Sequence, residues 1–168
     1  MHRELRDWSL VYVGFDPSQE PLREALCVLG NGYFATRGAF EWTRAGGAHY
    51  PGTYLAGGYN RAETEVAGRI VENEDLVNWP NWLPLTFRVL PDDPAASDPD
   101  DADDEDAGWF THEAVTLTHF EQELDMRRGL LLRTLRFTDA AEREFELATR
   151  RLVHMDDAHV AAIEWTLT

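Results

Sequence analysis

Leu130 to Val153, LLLRTLRFTDAAEREFELATRRLV, decides the fold. In an extended chain successive side chains point to opposite faces. Leu131, Arg133, Leu135 and Phe137 then share one face, and Leu130, Leu132, Thr134 and Arg136 share the other. Phe145, Leu147, Thr149, Arg151 and Val153 repeat the pattern. Asp139 to Ala141 lies between the two runs and reads as a hairpin connection. A turn of helix within Ala140 to Leu147 is the weaker alternative. The same alternation extends outward. Val115, Leu117 and His119 alternate with Thr116, Thr118 and Phe120, and Ala161, Ile163, Trp165 and Leu167 line one face of the last segment. Asp125 to Gly129 is a second connection. Consecutive β segments with short turns predict antiparallel sheets, hence a mainly β sandwich. Thr168 falls inside the last predicted strand, which would leave a sheet edge unpaired, so the sequence reads as an incomplete sandwich.

The N-terminal half is more broken. Trp8 to Gly14 alternates as a strand, and Phe15-Asp16-Pro17 ends it. Asp16 or Ser18 caps one short helix from about Gln19 to Val28, with Pro21 in its first turn and Gly30 as terminator. Tyr33 to Phe40 reads as a strand, Arg44 to His49 as a loop, and Thr53 to Tyr59 as a strand rich in glycine and alanine. Small residues there allow another group to approach closely, or mark a bulge or sheet corner. Asn73 to Pro84, with two prolines and two tryptophans, reads as an ordered loop, and Leu85 to Leu90 as a strand. From Asp92 to Asp106 nine of fifteen residues are acidic, so Pro91 to Gly108 reads as a solvated loop inside the domain. Its spacing lacks the glycine and terminal glutamate of a helix-loop-helix calcium site.

Composition bounds the function. The 168 residues suit one domain. Fifteen basic against thirty-one acidic residues give −16, which disfavours nucleic acid and anionic membranes. Cys27 is the only cysteine, so no internal disulfide forms and a cytoplasmic location is expected. No run has signal-peptide or membrane-spanning character.

Few motifs carry chemistry. Gly30-x-Gly32 lacks the third glycine of a dinucleotide loop, Ala35 standing in its place, and reads as a turn. The six histidines show no metal-ligand spacing, so no metal or other cofactor is expected. Cys27 reads as a small buried hydrophobe. Glu72, Glu74 and Asp75 lie beside tryptophans, as acid/base carboxylates on a glycosidic bond would, but equally as surface acids. Trp79 and Trp82 suit stacking on sugar rings or plugging a core or interdomain face.

Three segments in order carry a resemblance: Glu24 to Phe40 (EALCVLGNGYFATRGAF), Tyr50 to Asn60 (YPGTYLAGGYN) and Glu72 to Pro84 (ENEDLVNWPNWLP). With Trp8, Gly14-Phe15-Asp16 and Leu124 to Leu130, they resemble the N-terminal domain of glycoside hydrolase family 65, the family of maltose, trehalose and kojibiose phosphorylases and related hydrolases. The resemblance implies a galactose-mutarotase-like super-sandwich over residues 1–168, packed on an (α/α)6 catalytic barrel that lies outside this chain. It implies a scaffold and interface role in cleaving α-linked disaccharides with phosphate or water, and a homodimer. No catalytic residue of the family maps onto this chain. Arg37, Tyr54, Asn78, Trp79 and Trp82 are the residues expected to face substrate or barrel. A standalone carbohydrate-binding sandwich and a dimerisation partner for a separately encoded barrel are the alternatives.

Overall fold

The structure is a computed structural model describing residues 2–90 and 108–168, with the side chains of residues 2–6 outside the description. The acidic segment from Pro91 onward therefore lies outside the described residues, up to Gly108. The chain is mainly β, with antiparallel sheets and one short helix. The element order is β1 (His2–Arg6), β2 (Ser9–Val13), a 3-10 turn (Pro17–Gln19), α1 (Glu20–Leu26), β3 (Leu29–Gly30), β4 (Phe34–Thr36), β5 (Thr53–Leu55), β6 (Tyr59–Val66), β7 (Arg69–Leu76), β8 (Thr116–Asp125), β9 (Leu130–Thr138), β10 (Glu144–Val153) and β11 (Ala161–Leu167). No helix among the described residues is long and apolar enough to cross a membrane.

The alternating run builds the main layer. A six-stranded sheet in the order β1-β2-β8-β9-β10-β11 is antiparallel throughout. Its hairpins close where Asp125 and Asp139 supply turn chemistry. Asp125 Oδ1 accepts from the Arg127 and Arg128 amides at 3.0 and 2.9 Å. Asp139 Oδ1 accepts from Ala141 and Arg143, both at 2.9 Å. The predicted faces hold: Leu131, Arg133, Leu135 and Phe137 are all buried, as are Leu147, Thr149, Arg151 and Val153. Fully burying one such leucine stabilises the fold by about 1.5–3 kcal/mol.

A second layer covers that face. The three-stranded sheet β3-β4-β5 joins a cluster of Leu10, Tyr12, Cys27, Leu29, Leu124, Leu131 and Val153, with Phe34 packed against it. Cys27 is fully buried, and burial pushes its thiol up from the ordinary range. Phe40, Trp42, Phe110, Phe120, Leu135, Phe137 and Leu147 form an aromatic second cluster. Asn31 ties the layers together across the tip of the β3–β4 hairpin. Its Oδ1 accepts from the Tyr33 and Phe34 amides, and its Nδ2 donates to the His154 carbonyl at 2.7 Å. The turn at Gly30-Asn31-Gly32 therefore also fastens one sheet to the other.

Several expectations need correction. The helix is shorter than predicted: Asp16 caps the preceding 3-10 turn through the Ser18 amide, Cys27 ends α1, and Gly30 lies in β3. The strand begins at Ser9, because Trp8 adopts a positive φ in the turn from β1. The strand read over Tyr33 to Phe40 stops at Thr36, because side chains claim the carbonyls beyond it, as described below. Thr53 to Tyr59 splits at Leu55, where Ala56 and Gly57 form a turn. Asn73 to Leu76 is strand, not loop, and pairs with Tyr59 to Ala62 in a separate two-stranded ribbon, β6–β7. Leu85 to Leu90 forms a single bridge, Arg88 to Trp109, instead of a strand.

Candidate functional site

The segment Arg37 to Thr43 lies over the six-stranded sheet and is held there by buried charge. Glu41 sits between Arg133 of β9 and Arg151 of β10, and all three are essentially inaccessible. Arg133 Nη1 donates to Glu41 Oε1 and Oε2 at 2.9 and 3.0 Å. Arg151 Nε donates to Glu41 Oε1 at 3.0 Å, and its Nη2 makes a second, shorter contact to the same oxygen. Two guanidiniums face one carboxylate, so backbone dipoles complete the balance. Arg151 Nη1 donates to the Arg37 carbonyl at 3.0 Å, Arg133 Nη2 donates to that of Gly38, and both arginines reach Ala39 O. These are the carbonyls that would otherwise extend β4. Burial alone would raise the Glu41 carboxyl, but Arg133 and Arg151 hold it below its ordinary value. Gln122 completes the cluster, accepting from Arg133 Nε at 2.7 Å and donating to Cys27 Sγ at 3.2 Å.

The short helix is inverted. α1 buries Glu20, Arg23 and Glu24 and turns Leu22 and Leu26 outward, 56% and 44% exposed. Arg23 pairs with Glu20 at 2.9 Å and lies over the Tyr12 ring. Desolvation raises the Glu20 carboxyl, opposed by Arg23. Glu24 is the hub between helix and surface. It accepts from His49 Nδ1 and from the Tyr50 amide, both at 2.9 Å, and its Oε2 lies 4.0 Å from Arg37 Nε.

Arg37 and Tyr54, two of the expected residues, meet beside that hub. They lie on the outer face of β4–β5, where Arg37 N donates to the Gly52 carbonyl at 2.9 Å. The Arg37 guanidinium stands 5.3 Å from the Tyr50 ring and donates to the Pro21 carbonyl at 3.2 Å. Desolvation raises the Tyr54 phenol, while Arg37 opposes the rise. Gly52 makes the meeting possible. A Cβ there would fall 2.5 Å from Tyr54 Oη and 2.6 Å from Arg37 Cδ. Asn78 supports the strand from the side, its Oδ1 accepting from the Thr53 amide at 2.9 Å. Trp79 donates its amide to the Thr53 carbonyl and seats its indole against Gly58, where a Cβ would lie 2.6 Å from Nε1. The Trp79 ring stays 41% exposed.

Trp82 takes a different course. Its indole Nε1 donates to Thr36 Oγ1 at 3.1 Å, and its ring meets Phe34 edge-on, on the core side of β4. Glu72, Glu74 and Asp75 lie along the ribbon, with Glu72 paired to Arg61 at 2.9 Å. Among the described residues, no three His, Cys, Asp or Glu side chains converge as a metal ion would require. Glu24, Tyr50 and His49 belong to the site without having been expected there; no motif spacing marks them.

A family description, the N-terminal domain of glycosyl hydrolase family 65, matches residues 10–168. The chain belongs to that family. It is 41% identical over 157 residues to an uncharacterized glycosyl hydrolase of Mycobacterium tuberculosis, covering 94% of this chain and 11% of that protein. It is 48% identical over 77 residues to trehalose 6-phosphate phosphorylase of Lactococcus lactis, covering 45% of this chain and 10% of that protein. A solved structure described as that of a kojibiose phosphorylase from the human microbiome matches with a TM-score of 0.76 at 24% identity, over 98% of this chain and 20% of that one. This last likeness is one of fold. The chain thus spans between 10% and 20% of the length of these three proteins.

Proposed function

We propose that this chain is a scaffold and interface domain of a family 65 enzyme that cleaves α-linked disaccharides by phosphorolysis or hydrolysis, with chemistry supplied by a catalytic barrel. The observation that carries this reading is the inverted helix. Burying Glu20, Arg23 and Glu24 while exposing Leu22 and Leu26 is unfavourable unless the outward face meets another surface. Val28, 40% exposed, follows α1, and the Arg37–Tyr50–Tyr54 group adjoins it through the bond from Arg37 to Pro21 O. Apolar side chains flanked by an arginine and tyrosines make a composition typical of protein–protein contacts. The barrel is the natural occupant, and a second copy of the enzyme would extend the same logic to a homodimer.

The carboxylates fit a structural role. Glycosidic cleavage needs two convergent carboxyl groups, one of them free to give a proton. Here Glu41, Glu20 and Glu24 are each engaged by arginine, histidine or backbone amide. Incubating the purified chain with trehalose, maltose or kojibiose and phosphate is expected to release no glucose 1-phosphate and no glucose. Robust release of either would overturn the proposal.

A further inference from the structure

The loop Arg44 to His49 closes on itself. Gly46 and His49 exchange backbone hydrogen bonds at 3.0 and 2.9 Å, with Gly47 at a φ of 56° in the turn between them. The loop forms one wall of an open cleft of about 700 Å³, within the range typical of small-molecule sites. Trp42, Trp109 and Phe110 line it, and His49 and His112 add polar groups. Trp109 is 40% exposed at the rim, whereas Trp42 and Phe110 are buried.

Both imidazoles are held through Nδ1. The Trp42 indole Nε1 donates to His112 Nδ1 at 3.1 Å, so the His112 proton sits on Nε2 and that atom is a donor. Burial, and then His49, lower the His112 pKa to about 4, so the ring is neutral near pH 7. His49 Nδ1 faces the Glu24 carboxylate, an acceptor, so Nδ1 carries a proton and the carboxylate orients the ring. The rings stand perpendicular, centroids 5.7 Å apart, and both pack on Phe40. Among the described residues neither Nε2 has a hydrogen-bond partner, and neither is among the buried atoms left without one. Two oriented imidazoles, that of His112 a fixed donor, therefore lie together between aromatic walls.

Hydroxyl groups both donate and accept, and the apolar face of a sugar ring suits an indole. Arg44 and Glu113 bring opposite charges to the cleft, and the chain carries −16 overall, so the site disfavours an anion. We propose that the cleft between Trp42 and Trp109 is a binding site for an uncharged sugar ring, with Trp109 as platform and the His49–His112 pair reading hydroxyls. The site goes beyond the interface reading and stands independently of it, because none of its residues belongs to the outer face of α1.

Glucose and maltose are the probes, titrated calorimetrically into the 168-residue chain while indole emission is followed. Saturable binding on the order of 1 mM is expected. Trp109→Ala, at the rim, weakens it at least about tenfold, as does His49→Ala, while Trp79→Ala on the other surface leaves it unchanged. Far-UV dichroism and the urea midpoint are read for each variant, and the Trp109→Ala result decides if His49→Ala fails to fold. No saturable heat up to about 100 mM of either sugar overturns the proposal. So does binding that survives Trp109→Ala in a folded chain, or that disappears in Trp79→Ala.

Discussion

Strands β9 and β10 carry arginines that point into the protein, while β6 and β7 carry apolar side chains that point out of it. Arg133 and Arg151 are 2% and 1% exposed, and Val66 and Ile70 are 57% and 72% exposed. Both hairpins are antiparallel and of similar length. Their surroundings differ. β9–β10 lies mid-sheet beneath a second layer, and each guanidinium meets Glu41 or a backbone carbonyl there. The ribbon forms a sheet of its own, exposed along nearly its whole length, and sets Glu63 opposite Glu72. An isolated two-stranded ribbon is marginal in water, and like charges directly opposite weaken it further. The contrast teaches that location in the fold, more than residue type, decides which charges and apolar groups hold this chain together.

The largest effect is expected at the charge centre. Replacing Glu41 by alanine leaves two buried guanidiniums without their carboxylate and should cost about 3–5 kcal/mol in urea unfolding. A loss under about 1 kcal/mol would mean that the backbone carbonyls suffice, and the contrast with the ribbon would collapse.

A pH effect comes next. The ordinary His112 pKa of 6.5 applies to the unfolded chain and about 4 to the folded one, so the unfolded state binds the proton more readily. The stability this neutral ring contributes is complete above about pH 6.5 and drains away as pH falls toward 4. Between pH 7 and 5 the urea midpoint of the unaltered chain should therefore fall further than that of His112→Gln. Equal falls would show that burial of His112 carries no such linkage.

The smallest effect belongs to the ribbon. Ile70→Ser and Glu72→Ala should each change global stability by no more than about 0.5 kcal/mol. A loss of 2 kcal/mol or more at either would show that the ribbon shares in the cooperative fold, sharpening the comparison in the opposite sense.

The same contrast explains what the sequence made legible. Alternation in β9 and β10 is readable because one face is buried and selects apolar residues every second position, whereas in β8 a register shift between Leu117 and His119 brings Leu117 and Phe120, read as opposite faces, to one cluster. Arg133 and Arg151 fit that alternation by position, but their partner Glu41 lies 92 and 110 residues away, beyond any local pattern. For the same reason Arg37 to Phe40 looks like strand: it continues the β-forming run that starts at Tyr33, and distant arginines take the carbonyls that would continue the ladder. The ribbon gave no signal because neither face is buried. Of the residues expected to face substrate or barrel, Arg37, Tyr54, Asn78 and Trp79 gather around β5, a placement that does not say what they face. Nothing local separated Trp79, seated on Gly58 and half exposed, from Trp82, bonded to Thr36 beneath the sheet. The buried face of α1 was hidden because an apolar-in rule predicts its opposite.

Native-state amide hydrogen exchange tests most directly whether the buried charge centre and the six-stranded sheet form one cooperative body from which the ribbon stands apart. Amides of β9 and β10, and the Arg37 and Gly38 amides that bond Gly52 and Glu24, are expected to exchange only by global unfolding. Those of β6 and β7 should exchange by local opening at least about 2 kcal/mol below that limit. Equal protection in ribbon and sheet, or early exchange at Arg37 and Gly38, would contradict the account.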